Sequence, residues 1–141
     1  MLAERLSEIR AELDAFDDEF TKYSFLVELS AYVSPDQPDL MVDENLQSGC
    51  QSQVWLALDA HDGVFSMRAT SDTLIIRGIL YIMQELFCGV PVEEIAQSDI
   101  DFLDELGIAE HFSDTRQLGI RSIASSIVSF CRDSRGTGAG A

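Results

Sequence analysis

The chain has 141 residues, 46% of them hydrophobic, and carries 25 acidic against 9 basic residues for a net charge of −16. That is enough apolar material for one domain with its own core, and too much for an acidic disordered chain. The charge argues against a nucleic-acid footprint and against adhesion to an anionic membrane, and it fits solubility, a salty surrounding or a partner with a basic docking face.

In chain order, Leu2, Leu6, Ile9, Leu13, Phe16 and Phe20 recur at spacings of four and three, so an amphipathic helix is expected to about Phe20. A second helix is expected around Lys22 to Tyr32, burying Phe25, Leu26, Leu29 and Val33, and Ser34-Pro35-Asp36-Gln37-Pro38-Asp39 stops it. Leu40 to Ser48 reads as an irregular connection, with a short strand near Asn45 to Ser48. Val54, Leu56, Leu58 and Ala60 then alternate with Gln53, Trp55, Ala57 and Asp59, the period of a strand. Asp62-Gly63 is a two-residue hairpin turn. Pairing His61 with Val64 puts Ala60 opposite Phe65, Leu58 opposite Met67 and Leu56 opposite Ala69, one consistently apolar face. The other face carries Trp55, Asp59, His61, Ser66 and Arg68, with Asp59 and Arg68 in diagonal reach; packing is the expected role for Trp55.

Ser71-Asp72 is expected to cap a long core helix, Thr73 to about Phe87, closed by Cys88-Gly89. Short helices follow at Pro91 to Ile95 and Asp99 to Leu106, and a last one from about Thr115 to Arg132. The reading is one domain over residues 1–132 and a flexible tail over 133–141. The N-terminus lacks an apolar signal core, and the longest greasy run, Leu74 to Val90, is broken by Arg77, Gln84 and Glu85. A cytoplasmic protein with reduced thiols is expected.

Three widely spaced cysteines, Cys50, Cys88 and Cys131, suggest neither a disulfide framework nor a zinc or cluster motif, and no glycine-rich phosphate loop appears. Cys88 and Cys131 fit buried small hydrophobes. Cys50 differs, because Gly49 before it and Gln51-Ser52-Gln53 after it form a small polar turn that presents a thiol at a strand entrance. His61 is no partner for it: from Gln53 to His61 the strand rises roughly 26 Å. The position of His111 stays open, and a cysteine hydrolase would need it close by. The hairpin register sets Ser71-Asp72 beside Val54, so the N-terminus of the core helix is expected near the thiol. Its partial positive charge would favour the thiolate, and the carboxylate of Asp72 would oppose it.

The stretch Gly49-Cys50-Gln51-Ser52-Gln53-Val54-Trp55-Leu56 resembles the signature of the SufE family, sulfur-acceptor proteins of iron–sulfur cluster assembly. The likeness continues through Ser71-Asp72, Arg77-Gly78, Pro91-Val92-Glu93-Glu94-Ile95, Ser113-Asp114-Thr115-Arg116 and Gly119, in order, from about Phe16 to Phe130. Two departures stand out: the family usually has asparagine where this chain has Leu118, and a basic residue near Gln47. The resemblance implies an α+β fold, helices on a small antiparallel sheet of about three strands, with the cysteine loop tucked inward at rest. It implies Cys50 as acceptor of sulfur from a pyridoxal-phosphate cysteine desulfurase that the protein stimulates, and a cluster scaffold as recipient. The protein itself would be a carrier without a cofactor, a monomer or weak homodimer, with Arg116 as stabiliser of a thiolate or persulfide. Two other readings remain: an iron–sulfur scaffold of related fold, which needs three converging ligands, and an acidic interaction module in which Cys50 is incidental.

Overall fold

The computed structural model describes residues 1–139, with side chains described up to Arg135. Its centre is α3 (Leu74–Phe87), whose Ile75, Ile76, Ile79, Leu80, Ile82, Met83, Leu86 and Phe87 are all buried. A helix apolar on nearly every face must be covered on nearly every face. One cover is the hairpin of β1 (Val54–His61) and β2 (Val64–Ser71). Its register pairs Val54 with Ser71, Leu56 with Ala69, Leu58 with Met67 and His61 with Val64, as the alternation predicts. Asp62 and Gly63 have φ of 53° and 75°, the two positive values that let a two-residue turn follow the twist of the strands.

α1 (Leu2–Asp14) and α2 (Glu19–Glu28) cover another side of α3. The expected single helix to Phe20 is broken. Asp18 caps α2, its carboxylate accepting from the Thr21 N–H at 2.7 Å and the Thr21 hydroxyl at 2.8 Å. That cap outcompetes continuation of the apolar stripe, and Phe20 is left 81% exposed. α2 crosses α3 at Gly78, where a Cβ would lie 2.0 Å from the carbonyl oxygen of Leu26.

The expected third strand is reduced to one bridge, Leu46 to Trp55, and a second bridge joins Val64 to Pro91 on the opposite edge. Among the described residues the sheet therefore has two strands. The connection that carries Leu46 instead folds over the outer face of the hairpin. Thr70 Oγ1 donates to the Ser34 carbonyl at 2.7 Å, and Arg68 pairs with Asp39 at 2.7 Å. Arg68 thus turns away from Asp59, whose Oδ1 accepts from the N–H of Ala60. This cover explains why Trp55, on the face read as polar, is buried.

α4 (Val92–Ala96), α5 (Phe102–Leu106) and α6 (Asp114–Ala139) complete the fold. α6 runs past the expected end at Arg132, through much of the segment expected to be a flexible tail. Arg132 Nε donates to the Ala96 carbonyl at 3.0 Å and Arg135 lies 3.7 Å from Glu93, so α4 holds this turn in place. Residues 140–141 of the expected tail lie outside the described residues.

Candidate functional site

Between the Leu46–Trp55 bridge and the hairpin, the chain makes a short excursion that carries Cys50. Its neck is fixed on both sides. The Gln47 N–H donates to the Val54 carbonyl at 2.7 Å, while the Gln53 carbonyl accepts from the Asp72 N–H at 3.2 Å and from Ser71 Oγ at 2.7 Å. Among the described residues, 48–52 make no backbone-to-backbone hydrogen bond. Side-chain hydrogen bonds seat the loop, and its backbone packs against Gly119, where a Cβ would lie 3.5 Å from the Cys50 Cα. Gly49 sits at φ +81°, a left-handed conformation a Cβ would strain, and the Cβ would also meet Ser122 Oγ at 3.3 Å.

The Cys50 thiol is half-buried and turned inward, its S–H donating to the Gly119 carbonyl of α6 at 3.5 Å. Around it close Val54 from β1, Ile76 from α3, and Ile120 and Ile123 from α6, leaving a void of about 10 Å3. That is room for a single water at most. Burial pushes the thiol pKa up from its ordinary value, and the positive charge of Arg116 pulls against it. At rest the thiol is therefore protonated at neutral pH, beside a cation that favours its ionised form.

Arg116 enters from the first turn of α6. Its Nη1 donates to Ser52 Oγ at 2.7 Å, Ser52 and Thr73 share a hydrogen bond of 2.7 Å, and Thr73 Oγ1 lies 3.0 Å from Asp72 Oδ1. One proton arrangement satisfies the whole chain: guanidinium to Ser52, the Ser52 hydroxyl to Thr73, the Thr73 hydroxyl to the Asp72 carboxylate. The same carboxylate accepts the Gln53 N–H at 3.2 Å. A cation on α6 and an anion at the α3 entrance thus grip the C-terminal side of the Cys50 loop through two hydroxyls.

Of the residues singled out from the sequence, Cys50 and Arg116 come together directly, and Asp72 joins them through Thr73 and Ser52. The expected Ser71-Asp72 cap is corrected. Thr73 occupies the cap position of α3 and makes no side-chain cap bond, because its hydroxyl is engaged with Ser52 and Asp72. The α3 entrance consequently addresses Ser52 and Gln53, and the charge that acts on the thiol is that of Arg116. Ser52 and Thr73 were not recognised as site residues, although Ser52 lies in the motif and short hydroxyl residues at a helix entrance are a usable signal. His111 Nε2 lies 2.9 Å from Glu19 and its ring faces Tyr23, so it is outside the residues around Cys50. Cys88 Sγ approaches the Met67 carbonyl, and Cys131 is wholly buried with its thiol pushed up to about 11 by desolvation. A hollow of about 530 Å3 between α1, α2 and α3 does not include Cys50.

A family model described as the Fe-S metabolism associated domain, SufE, matches residues 7–131. The chain belongs to the SufE family. An uncharacterised SufE-like protein of Rhizobium meliloti is 34% identical over 119 residues, covering 80% of this chain and 82% of the relative. Another from Rhizobium etli is 30% identical over 129 residues, covering 83% and 87%. Among solved structures, a hypothetical protein from Thermus thermophilus superimposes with a TM-score of 0.76 at 16% identity, over 94% of this chain and 96% of that one. At that identity the likeness speaks for the α+β fold alone. Membership places the chain in iron–sulfur metabolism. Among the described residues, no helix is long and apolar enough to cross a membrane.

Proposed function

We propose that this protein is a sulfur carrier: Cys50 accepts sulfur from the persulfide of a pyridoxal-phosphate cysteine desulfurase, stimulates that enzyme and passes the sulfur to a cluster scaffold. In the transfer, the Cys50 thiolate attacks the outer sulfur of the enzyme's Cys–S–SH. A new S–S bond forms at Cys50, the enzyme's own S–S bond breaks, and its cysteine leaves as a thiolate, as in thiol–disulfide exchange. No external oxidant enters, since the sulfur arrives already at the persulfide level.

The observation that carries this reading is the seat of Cys50. The half-buried thiol faces Val54, Ile76, Ile120 and Ile123 on one side and Ser52 and Arg116 on the other, with a void that holds at most about one water, which suits an atom-sized cargo. Half-buried and turned inward, the thiol is only partly presented to a partner's persulfide, and in this reading the loop 48–52 swings outward on docking to complete the approach. The absence of backbone hydrogen bonds within those residues supports such a motion. In the inward state burial protects the sulfur and holds the thiol protonated. In the outward state the burial is relieved, and Arg116 remains at hand to favour the thiolate or persulfide anion. Asp72, through Thr73 and Ser52, returns the loop to its seat.

The net charge of −16 suits a desulfurase with a basic docking face in a reducing cytoplasm, and the carrier would act as a monomer or weak homodimer. The scaffold alternative requires three converging ligands, and among the described residues no three His, Cys, Asp or Glu side chains gather as a metal site. Desulfurase turnover tests the reading. The wild-type protein is expected to accelerate sulfide or alanine release by the desulfurase of its own organism, and Cys50→Ser to abolish that acceleration. Equal stimulation by both would favour an interaction module with an incidental cysteine.

A further inference from the structure

The Arg116–Ser52 grip acts on only one side of Cys50. On the other side, Gln47 Nε2 donates to Ser126 Oγ at 2.9 Å and lies 3.3 Å from Ser122 Oγ. Ser122 and Ser126 are four residues apart and therefore share a face of α6, the face that also presents Gly119 to the thiol. Three successive turns of this face receive three successive parts of the loop: Gly119 takes Cys50, Ser122 meets Gly49, and Ser126 takes Gln47. The Gln47 backbone is meanwhile fixed to Val54, and among the described residues its side chain hydrogen-bonds the loop's N-terminal neck to α6.

We infer that Gln47 is a positioning residue for sulfur transfer: its clasp on Ser122 and Ser126 sets how often the Cys50 loop leaves its seat. The inference deepens the sulfur-carrier reading and rests on it for its purpose, but the clasp acts on the free protein. Two hydrogen bonds between neutral, half-buried groups hold the neck against α6. Their loss favours the outward loop without removing any group that touches the sulfur. The clasp is a pair of hydrogen bonds between neutral amide and hydroxyl side chains, none of which titrates between pH 7 and 10.

The test is iodoacetamide alkylation without any desulfurase, with Cys50 and Cys131 resolved by peptide mass, from pH 7 to 10. Gln47→Ala is expected to raise the Cys50 rate roughly 5- to 30-fold. It is also expected to move the midpoint of the Cys50 pH–rate profile down toward the ordinary 9.0, because a more open loop relieves the burial that raises it. Cys131, deep in the core, should react no faster than in wild type. The Ser122→Ala/Ser126→Ala double variant should reproduce both effects, and it carries the test if Gln47→Ala does not fold. An unchanged Cys50 rate and midpoint, or a Cys131 rate that rises in step with Cys50, would overturn the inference. Because no desulfurase is present, either result leaves the sulfur-carrier reading to be judged on its own experiment.

Discussion

Replacing Gly78 by alanine probes the crossing that sets α3, and with it the α3 entrance, against the Cys50 loop. The new Cβ would lie 2.0 Å from the Leu26 carbonyl oxygen and 3.0 Å from its carbon. Reaching an ordinary separation of about 3.5 Å requires α2 and α3 to part by roughly 1.5 Å. Backbone meets backbone here, so no rotamer can yield. The parting would loosen Leu26, Ile79 and Leu80, which are completely buried. Overpacking of this kind costs about 3 kcal/mol or somewhat more, offset by about 1 kcal/mol because alanine is the better helix former. The net loss is about 2 kcal/mol, which lowers Tm by roughly 6–10 °C in a domain of this size. Urea unfolding reads this directly, since the single, buried Trp55 reports the hairpin by fluorescence and circular dichroism reports the helices. A Gly78→Ala variant as stable as the wild type, or more so, would refute the proposed close crossing of α2 and α3.

Ser52→Ala removes the hydroxyl between Arg116 and Thr73, and with it one charge-assisted and one neutral hydrogen bond. The loss, about 1–3 kcal/mol, should fall on loop opening. Amide exchange at Gln53, whose N–H donates to the Asp72 carboxylate, should rise at least several-fold, with a fall in unfolding free energy no larger than that loss, and unchanged exchange would count against the grip. Cys131 predicts an alkaline limb of stability. Its folded pKa is raised to about 11 from 9.0, so the thiol is protonated in both states below pH 9 and contributes no pH dependence there. Between pH 9 and 11 the unfolded chain releases this proton while the folded one retains it, so stability falls by up to about 1.4 kcal/mol per pH unit. Cys131→Val should flatten that limb, measured as urea midpoint against pH; an identical slope in the variant would contradict the assignment.

The hairpin was readable to the residue because two independent signals coincide, the alternation on both strands and the Asp62-Gly63 turn. The boundary between α1 and α2 was not, because Phe16 and Phe20 continue an apolar stripe that the Asp18 cap interrupts, and a cap is a local hydrogen bond with no periodicity. Trp55 shows a different limit. Strand alternation assigns a side chain to a face, but whether that face is wet depends on the connection carrying Leu40 and Leu46, whose path has no repeating pattern. At the site, Cys50 stood out from its glycine and polar neighbours, and Arg116 from the family likeness alone. Their meeting depends on α6 returning beneath the loop, a long-range contact between residues 50 and 119 that spacing cannot reveal. Ser52, Thr73 and Gln47 were missed for the same reason, since hydroxyl and amide side chains become informative only when their partners are in place.

The most direct measurement of the central claim is intact mass after incubation with the desulfurase, pyridoxal phosphate and cysteine. The account predicts a gain of one or more sulfur atoms on the wild-type protein, located at Cys50, reversed by reductant and absent from Cys50→Ser. No gain while the desulfurase turns over, or a gain that persists in Cys50→Ser, would contradict it.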